Sequence, residues 1–391
     1  MMILIKNAEV YAPEYLGKKD ILVAGGEIEA IEENIEVPNT WGYIKIIHAD
    51  GKKLLPGFID SHVHICGGGG EGGYKTRTPE IQLSELIEGG ITTVVGCIGT
   101  DGVCRDMKSL LAKARALEEE GITTYVYTGS YRIPVKTLMD NIQEDILLID
   151  KIIGVGEIAI SDHRSSHVTF EEFIKVVTDA RVAGMLSGKA GVVNVHLGDG
   201  KLELSYLDRM EKETDIPLTQ LVPTHINRSS SLFKKSIEYA RKGGFVDFTT
   251  STTGRFLESG EMKCSKGLKI MMDEGIDIGN ISFTSDGQGS LPEFDNSGKF
   301  IGLGIGSVKS LYHEVKDAVL HEGVDLEHAI KVITSNVADH LKLKSKGRIS
   351  VGMDADIVIV DSKSLDITSV IAKGREVMFE GKVLVKGTFE K

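Results

Sequence analysis

Eight short apolar runs alternate with amphipathic stretches between residues 56 and 346, and this alternation limits the possible folds more than any other feature. The intervening stretches have helical patterns, for example residues 106–121 and 169–184, each ending at a glycine. Eight such units predict an α/β protein built as a (β/α)8 TIM barrel, whereas a doubly wound open sheet does not naturally give eight. The predicted strands are residues 57–65, 92–99, 123–129, 152–161, 192–198, 219–226, 245–251 and 280–286.

The two ends of the chain differ from this middle part and are similar to each other. Residues 1–55 and 347–391 contain short strand-like runs separated by turns, such as Gly25-Gly26 and Gly381. Neither end has enough strands to be stable alone. We therefore predict that both termini form one small β-sandwich domain, with residues 56–346 inserted between them as the barrel domain.

Composition excludes several classes of partner. The net charge is −12 without a basic block, which argues against a nucleic-acid surface. No apolar run approaches the roughly 20 residues that a membrane span needs. The four cysteines form no CxxC pair and are expected to be free thiols in a reducing compartment. Because the N-terminus also lacks a signal-peptide pattern, we expect a soluble, cytoplasmic protein.

Metal-binding side chains fall near the ends of the predicted strands, where the active site of a barrel lies. His62 and His64 are two residues apart, so in a strand both imidazoles point to one face. Each candidate alone has an ordinary explanation as a core, turn or capping residue. Together they offer four nitrogens and one oxygen, which suits zinc or a similar divalent ion but exceeds the three protein ligands of one catalytic zinc. We therefore predict two divalent metal ions, with zinc expected; the candidates are His62, His64, His196, His225 and Asp286.

The combination resembles the amidohydrolase superfamily over essentially the whole chain. The resemblance rests on "PGFIDSHVHI" at 56–65, His196, His225, "TSDG" at 284–287 and the tail "KGRISVGMDADIVIVD" at 346–361. It implies that His62 and His64 bind the more buried metal ion and that the other two histidines bind the second. Asp286 would contact the metal site and transfer protons.

Further segments resemble the isoaspartyl dipeptidase family within that superfamily. They are "GGGGEGG" at 67–73, "GTDG" at 99–102, "TGSYRIP" at 128–134, "AISDHRSS" at 159–166, "HINRS" at 225–229 and "SDGQGSLP" at 285–292. The resemblance implies a dipeptide substrate, a homo-oligomer (an octamer in relatives) and a substrate pocket. The implied pocket residues are Gly69, Gly70, Glu71, Thr100, Tyr131, Arg164, Arg228 and Ser290.

The charges of such a substrate agree with these residues. An isoaspartyl dipeptide has one ammonium and two carboxylates, so it needs an acid such as Glu71 and arginines such as Arg164 and Arg228. A glycine-rich loop could also be merely flexible, or could hold a phosphate, although the lysine of a P-loop is missing. Arginines that follow strands are usually solvated.

Glu157 marks the main departure from the usual pattern of the family. Many relatives have a lysine at this place in the fourth strand, and its carbamate bridges the two metal ions. A glutamate already carries a negative charge and two oxygens, but its carboxylate is closer to the backbone. We predict that Glu157 bridges the metal ions unmodified.

The function predicted on this basis is binuclear, metal-dependent hydrolysis of the β-aspartyl peptide bond, which releases aspartate and an amino acid. A hydroxide between the metal ions would attack the amide, Tyr131 would stabilise the oxyanion, and Asp286 would shuttle the proton to the leaving amine. The alternatives are a cyclic amidohydrolase such as a dihydroorotase or hydantoinase, a purine deaminase, and a catalytically inactive scaffold. Glu71 argues against the cyclic substrates, and the filled ligand positions argue against the scaffold.

Overall fold

The computed structural model describes residues 2–38, 42–295 and 300–391. The strands in these ranges are β1 Met2–Tyr11, β2 Tyr15–Ala24, β3 Glu27–Glu32, β4 Ile44–His48, β5 Lys52–Pro56, β6 Phe58–Val63, β7 Ile91–Gly96, β8 Thr123–Thr128, β9 Ile152–Ile160, β10 Val192–Leu197, β11 Leu221–Thr224, β12 Val246–Thr249, β13 Ile281–Thr284, β14 Ser290–Phe294, β15 Phe300–Ile305, β16 Ile357–Asp361, β17 Ile367–Ala372, β18 Arg375–Phe379 and β19 Lys382–Val383.

The helices lie mostly between the strands of the middle part. In the same ranges they are α1 Leu83–Glu88, α2 Met107–Glu120, α3 Ile142–Leu148, α4 Phe170–Ser187, α5 Ser205–Glu213, α6 Ser230–Arg241, α7 Gly254–Glu258, α8 Cys264–Asp273, α9 Ser310–Leu320, α10 Leu326–Ala329 and α11 Ser335–His340. Short 3-10 turns cover Tyr74–Thr76, Leu218–Gln220, Ile278–Asn280 and Ile330–Ile333. Among all these helices, none combines the length and the hydropathy needed to cross a bilayer.

A curled parallel sheet forms the middle of the described chain. Strands β6 to β11 pair in sequence order, and β12 pairs with β13, all of them parallel. Single backbone bonds join the two groups: Ile226 N donates to Asp247 O (3.3 Å), and His64 N donates to Gly287 O (2.9 Å). The carboxyl ends of these parallel strands therefore meet on one side, which is consistent with the predicted barrel.

The parallel strands are buried on both faces. Every residue of β6, β7 and β9 to β13 is buried. Helices cover the outside of a parallel sheet, so its strands are apolar almost throughout rather than alternating. This burial explains why the sequence shows continuous apolar runs.

Helix α4 corrects one boundary in the prediction. The helix begins as expected at the capping box of Thr169 and Glu172. It does not end at Gly184 but continues to Ser187, and Gly188 caps it with a φ of 72°. A Cβ atom at Gly184 would lie 2.6 Å from Gly191 Cα. Glycine is therefore needed there for close packing and does not mark the end of the helix.

Both chain termini contribute to a second sheet. Among the described residues its strand order is β19-β18-β17-β16-β5-β1-β2-β3, with β4 pairing with β1. Antiparallel pairing of β5 with β16, in which Pro56 is opposite Ile357, joins the two ends of the chain. The turns at Gly25-Gly26 and Gly381 lie between paired strands as expected. Strands from both ends of the chain thus lie in one sheet, whereas their arrangement as a separate β-sandwich domain stays a prediction.

Candidate metal centre

Glu157 lies in the middle of buried β9 and faces four imidazoles. Its Oε1 is 2.6 Å from His196 Nδ1 and 3.1 Å from His225 Nε2. Its Oε2 is 3.4 Å from His62 Nε2 and 3.9 Å from His64 Nε2. One oxygen therefore faces His196 in β10 and His225 after β11, and the other faces His62 and His64 at the end of β6.

The predicted metal-binding residues come from different strands that end at one place. His62 is in β6 and His196 in β10, whereas His64, His225 and Asp286 lie just beyond their strands. His225 and Asp286 have φ angles of 63° and 53°, an uncommon conformation outside glycine. This conformation bends the chain at the strand end, and Asp286 Oδ1 lies 2.9 Å from His64 Nε2.

Unpartnered atoms indicate what the centre can hold. Four buried side-chain atoms here make no hydrogen bond among the described residues: His62 Nδ1, His62 Nε2, Glu157 Oε2 and Asp286 Oδ1, whose 2.9 Å contact with His64 Nε2 lacks hydrogen-bond geometry. Such atoms are costly to bury unless something pairs with them. A divalent cation would accept nitrogen and carboxylate donors, so these residues fit a metal site. Two sets of converging donors qualify, one of His62, His64, Cys97 and Glu157 and one of Glu157, His196 and His225.

The electrostatics of the centre are those of a cation site. Burial alone would raise the pKa of Glu157, but His62 and His196 together hold it well below its ordinary value. Burial lowers the pKa of His64, yet Cys97 and Asp286 raise it well above the usual range. The same negative groups that favour a protonated imidazole would attract a divalent metal ion.

Tyr131, Asp162 and Arg164 contact His196. The Tyr131 hydroxyl is 2.9 Å from His196 Nδ1, and Asp162 Oδ2 is 3.0 Å from His196 Nε2. Arg164 donates to both oxygens of Asp162, through Nε at 3.0 Å and Nη2 at 2.8 Å. Burial, followed by the charge of Glu157, raises the pKa of Tyr131 well above its ordinary value, so its hydroxyl stays a donor.

The glycine-rich loop is an ordered part of this region. Gly70 N donates to Thr76 O (3.1 Å), and Gly69 bridges to Arg77. Its Glu71 accepts hydrogen bonds from three predicted pocket residues, namely Thr100 (2.9 Å), Ser290 (3.2 Å) and Arg164 (3.3 Å). The structure therefore brings these four side chains together from four separate segments.

Arg228 is placed differently from Arg164. Its backbone N donates to His225 O (3.1 Å), and among the described residues its guanidinium has no hydrogen bond or ion pair. Burial, and then the charges of Arg228 and His196, hold the pKa of His225 well below its ordinary value. The Arg228 guanidinium is thus close enough to the centre to lower the pKa of His225. Because it is unpaired among the described residues, it is available to an anionic ligand.

Two residues near the centre were not among the sequence predictions. Cys97 directly follows β7, is buried, and places Sγ 3.7 Å from His64 Nδ1. Its position near the carboxyl end of the predicted strand 92–99 was a usable signal. Asp162 lies within the "AISDHRSS" motif beside Arg164, but its contact with His196 depends on how β9 and β10 pair. His163, the residue between Asp162 and Arg164, is exposed.

A comparison of the sequence with protein-family models finds a match over most of the chain. The profile described as "Amidohydrolase family" matches residues 54–384. A dihydroorotase from Elusimicrobium minutum is 26% identical over 92% of this chain and 88% of its own length.

Solved structures give a closer similarity. A β-aspartyl dipeptidase from Fervidobacterium islandicum AW-1, in complex with the β-Asp-Leu dipeptide, is 46% identical with a TM-score of 0.91, covering 98% of this chain and 97% of that one. A second structure of a β-aspartyl dipeptidase from the same organism is 43% identical with a TM-score of 0.89, covering 98% of both chains. The resemblance found in the sequence is therefore confirmed.

Proposed function

This chain belongs to the amidohydrolase family, and on that premise we propose that it hydrolyses the β-aspartyl peptide bond of isoaspartyl dipeptides. The products would be aspartate and an amino acid. The observation that carries the proposal is the set of charges around the centre. Glu71 is held beside Arg164, and the guanidinium of Arg228, unpaired among the described residues, acts on His225.

These charges match the groups of an isoaspartyl dipeptide. Glu71 would pair with the free ammonium, and Thr100 and Ser290 hold its two oxygens in place. Arg164 and Arg228 would each bind a carboxylate, for which a guanidinium offers parallel donors. Gly69 and Gly70 would let the backbone of the loop approach the substrate closely. A neutral cyclic amide has no ammonium group with which Glu71 could pair.

Two divalent metal ions, with zinc expected, would be held by His62, His64, Glu157, His196, His225 and Asp286. When bound, such ions supply an activated water and polarise the scissile carbonyl. Asp286 would accept a proton from the attacking water and pass it to the leaving amine. Tyr131, which stays protonated, would donate its hydroxyl hydrogen to the carbonyl oxygen as negative charge develops there.

The proposal includes the architecture and assembly expected from the sequence. Residues 56–346 would form a closed (β/α)8 barrel, and residues 1–55 with 347–391 a β-sandwich domain. The protein would be a cytoplasmic homo-oligomer. The parallel pairing of β6 to β13 and the shared terminal sheet support the first part.

A substrate panel tests the function. The purified chain is incubated with matched α- and β-aspartyl dipeptides, with dihydroorotate and hydantoin, and with adenine, in each case with and without a chelator. We expect aspartate release from β-Asp-Leu only, lost with the chelator and restored by zinc. Faster turnover of a cyclic amide, or ammonia release from adenine, would assign one of the alternative activities instead.

Two variants test the assignment of charges. Glu71→Gln and Arg228→Met should each lower kcat/KM for β-Asp-Leu by about 10²-fold or more, because each leaves a substrate charge unpaired. Arg241→Met, on the exposed surface of α6, is the matched control and should behave as wild type. If both site variants keep normal kcat/KM on the dipeptide, the substrate assignment is wrong.

A further inference from the structure

Cys97 is the buried group of the centre for which the proposed function has no role. Its Sγ, one nitrogen each of His62 and His64, and an oxygen of Glu157 all lie within 4.8 Å of one another. Cys97 N donates to Val63 O (3.0 Å), so a backbone bond holds Cys97 against the end of β6. The side chain is 1% exposed, and its position is therefore set by the packing of the barrel interior.

The distances between these donors are those of ligands around one ion. With metal–nitrogen bonds of about 2.0–2.1 Å and metal–sulfur bonds of about 2.3 Å, neighbouring donors of a tetrahedral site are roughly 3.3–3.6 Å apart. His62 Nε2 is 3.4 Å from Glu157 Oε2. Cys97 Sγ is 3.7 Å from His64 Nδ1. His64 turns its other nitrogen, Nε2, toward Asp286 Oδ1 (2.9 Å), so it is the 4.8 Å grouping of all four donors that places the thiol within reach of the same ion.

A second observation points to a ligand at the same place. Both ring nitrogens of His62 and Oε2 of Glu157 are buried without a hydrogen-bond partner among the described residues. A cation bound within the group of donors that includes Cys97 Sγ would satisfy one ring nitrogen of His62 together with Glu157 Oε2. The charges agree as well, because two divalent ions carry four positive charges and Glu157 and Asp286 supply only two negative ones.

We propose that the Cys97 thiolate is a direct ligand of the metal ion held by His62, His64 and Glu157. The inference rests on the metal centre of the proposed function and adds a ligand that it lacks. A thiolate is a soft donor and selects zinc, cobalt or cadmium over magnesium or manganese. Cys97 would therefore make this position selective for such ions.

Cobalt reconstitution tests the assignment directly. The full chain is stripped with a chelator and loaded with Co²⁺, and the near-ultraviolet thiolate-to-cobalt charge-transfer band is recorded with the metal content. Wild type should show the band. Cys97→Ser should lose it and should bind zinc at least about 10-fold more weakly. Cys66→Ser is the control, since Cys66 is a buried thiol outside both donor sets, and it should keep the band.

Other outcomes would overturn the inference. If wild type binds cobalt without the band, or if the band persists in Cys97→Ser, Cys97 is only an outer neighbour of His64. Circular dichroism of both variants without metal checks that they fold. The band requires bound metal and no substrate, so a protein that shows it but does not cleave β-Asp-Leu would refute the proposed function and leave the ligand assignment standing.

Discussion

Glu157 places one carboxylate between two pairs of imidazoles, deep inside a strand whose nine residues are all buried. An unpaired acid in such a position would be costly, and four histidines surround this one. Burial of this carboxylate therefore depends on the histidines around it. Two predictions about single side chains of the centre can be measured.

Replacing Glu157 with Gln should lower metal content and hydrolysis together, each by about 10-fold or more, because a neutral amide is a poor bridge. Metal analysis and turnover of β-Asp-Leu measure the two quantities on the same sample. Glu171→Gln, at an exposed position of α4, is the matched control. Wild-type activity should not depend on bicarbonate during metal reconstitution. Unchanged metal content in Glu157→Gln would refute the bridging role.

Replacing Asp286 with Asn should lower kcat by about 10²–10⁴-fold, the usual contribution of a general acid–base group. The fold should persist, because asparagine tolerates the φ of 53° at this position. Steady-state kinetics and thermal unfolding measure the two effects, with exposed Asp273→Asn as the control. Near-normal kcat in Asp286→Asn would remove Asp286 from the proton path.

At the scale of elements, a carboxylate stabilises an irregular place in the terminal sheet. The pairing of β1 with β2 shifts register between Ile5 and Ala8, and Asn7 there has a φ of 62°. Asp20 in β2 accepts from Asn7 N and Ile35 N, both at 2.9 Å, and is 1% exposed. The side chain thus replaces the backbone partners that the bulge removes.

The stability from Asp20 should depend on pH. Burial alone would raise the pKa of Asp20, but the hydrogen bonds that its carboxylate accepts have the larger, opposite effect. The folded pKa is therefore below the unfolded value of about 3.9. The contribution is therefore present above about pH 4 and lost as the pH falls. Asp20→Asn should lower the free energy of unfolding by about 1–3 kcal/mol at pH 7.

Urea unfolding at several pH values checks this expectation. The difference between wild type and Asp20→Asn should shrink as the pH falls from about 4 toward the lowered folded pKa of Asp20, below which the wild-type carboxyl is neutral in both states. Asp150→Asn, in an exposed turn, should have no effect at any pH. A constant difference across the series would mean that the charge of Asp20 is not what stabilises the bulge.

At the scale of the whole molecule, one buried lysine connects the two sheets. Lys346 Nζ is 2.6 Å from Asp356 Oδ2 and 2.7 Å from Asp354 Oδ2. It also donates to Thr123 Oγ1 (2.6 Å) at the first residue of β8. The contacts lie at the amino ends of the parallel strands, away from the metal centre.

Lys346→Met should lower the free energy of unfolding by about 3–5 kcal/mol, because two acids lose a buried partner. Arg348→Met, which breaks a partly exposed pair with Asp339, should cost about 0–1 kcal/mol. Thermal and urea unfolding measure both. A second replacement, Asp356→Leu, should recover part of the loss in Lys346→Met. If Lys346→Met is as stable as wild type, the lysine does not link the sheets.

Much of the fold and part of the site could be predicted because they depend on local patterns. The period of the apolar residues determined the order of the strands and helices, and the capping box fixed the start of α4. Parallel strands share one carboxyl edge, so side chains at strand ends, such as His62 and His225, were expected to meet. Gly184 shows where local patterns fail. A glycine is needed there because the backbone of Gly191 packs against it, and this contact cannot be read from the neighbouring sequence.

The sequence by itself determined the α/β class of the fold, the order of its elements and most of the residues that converge on the centre, but not Cys97 or Asp162. Only the tertiary structure decided which atoms face one another. Glu71 meets Ser290, and Cys97 meets His64, across loops whose paths no local pattern specifies. A side chain's direction depends on strand register and packing, which arise from contacts between segments distant in the chain.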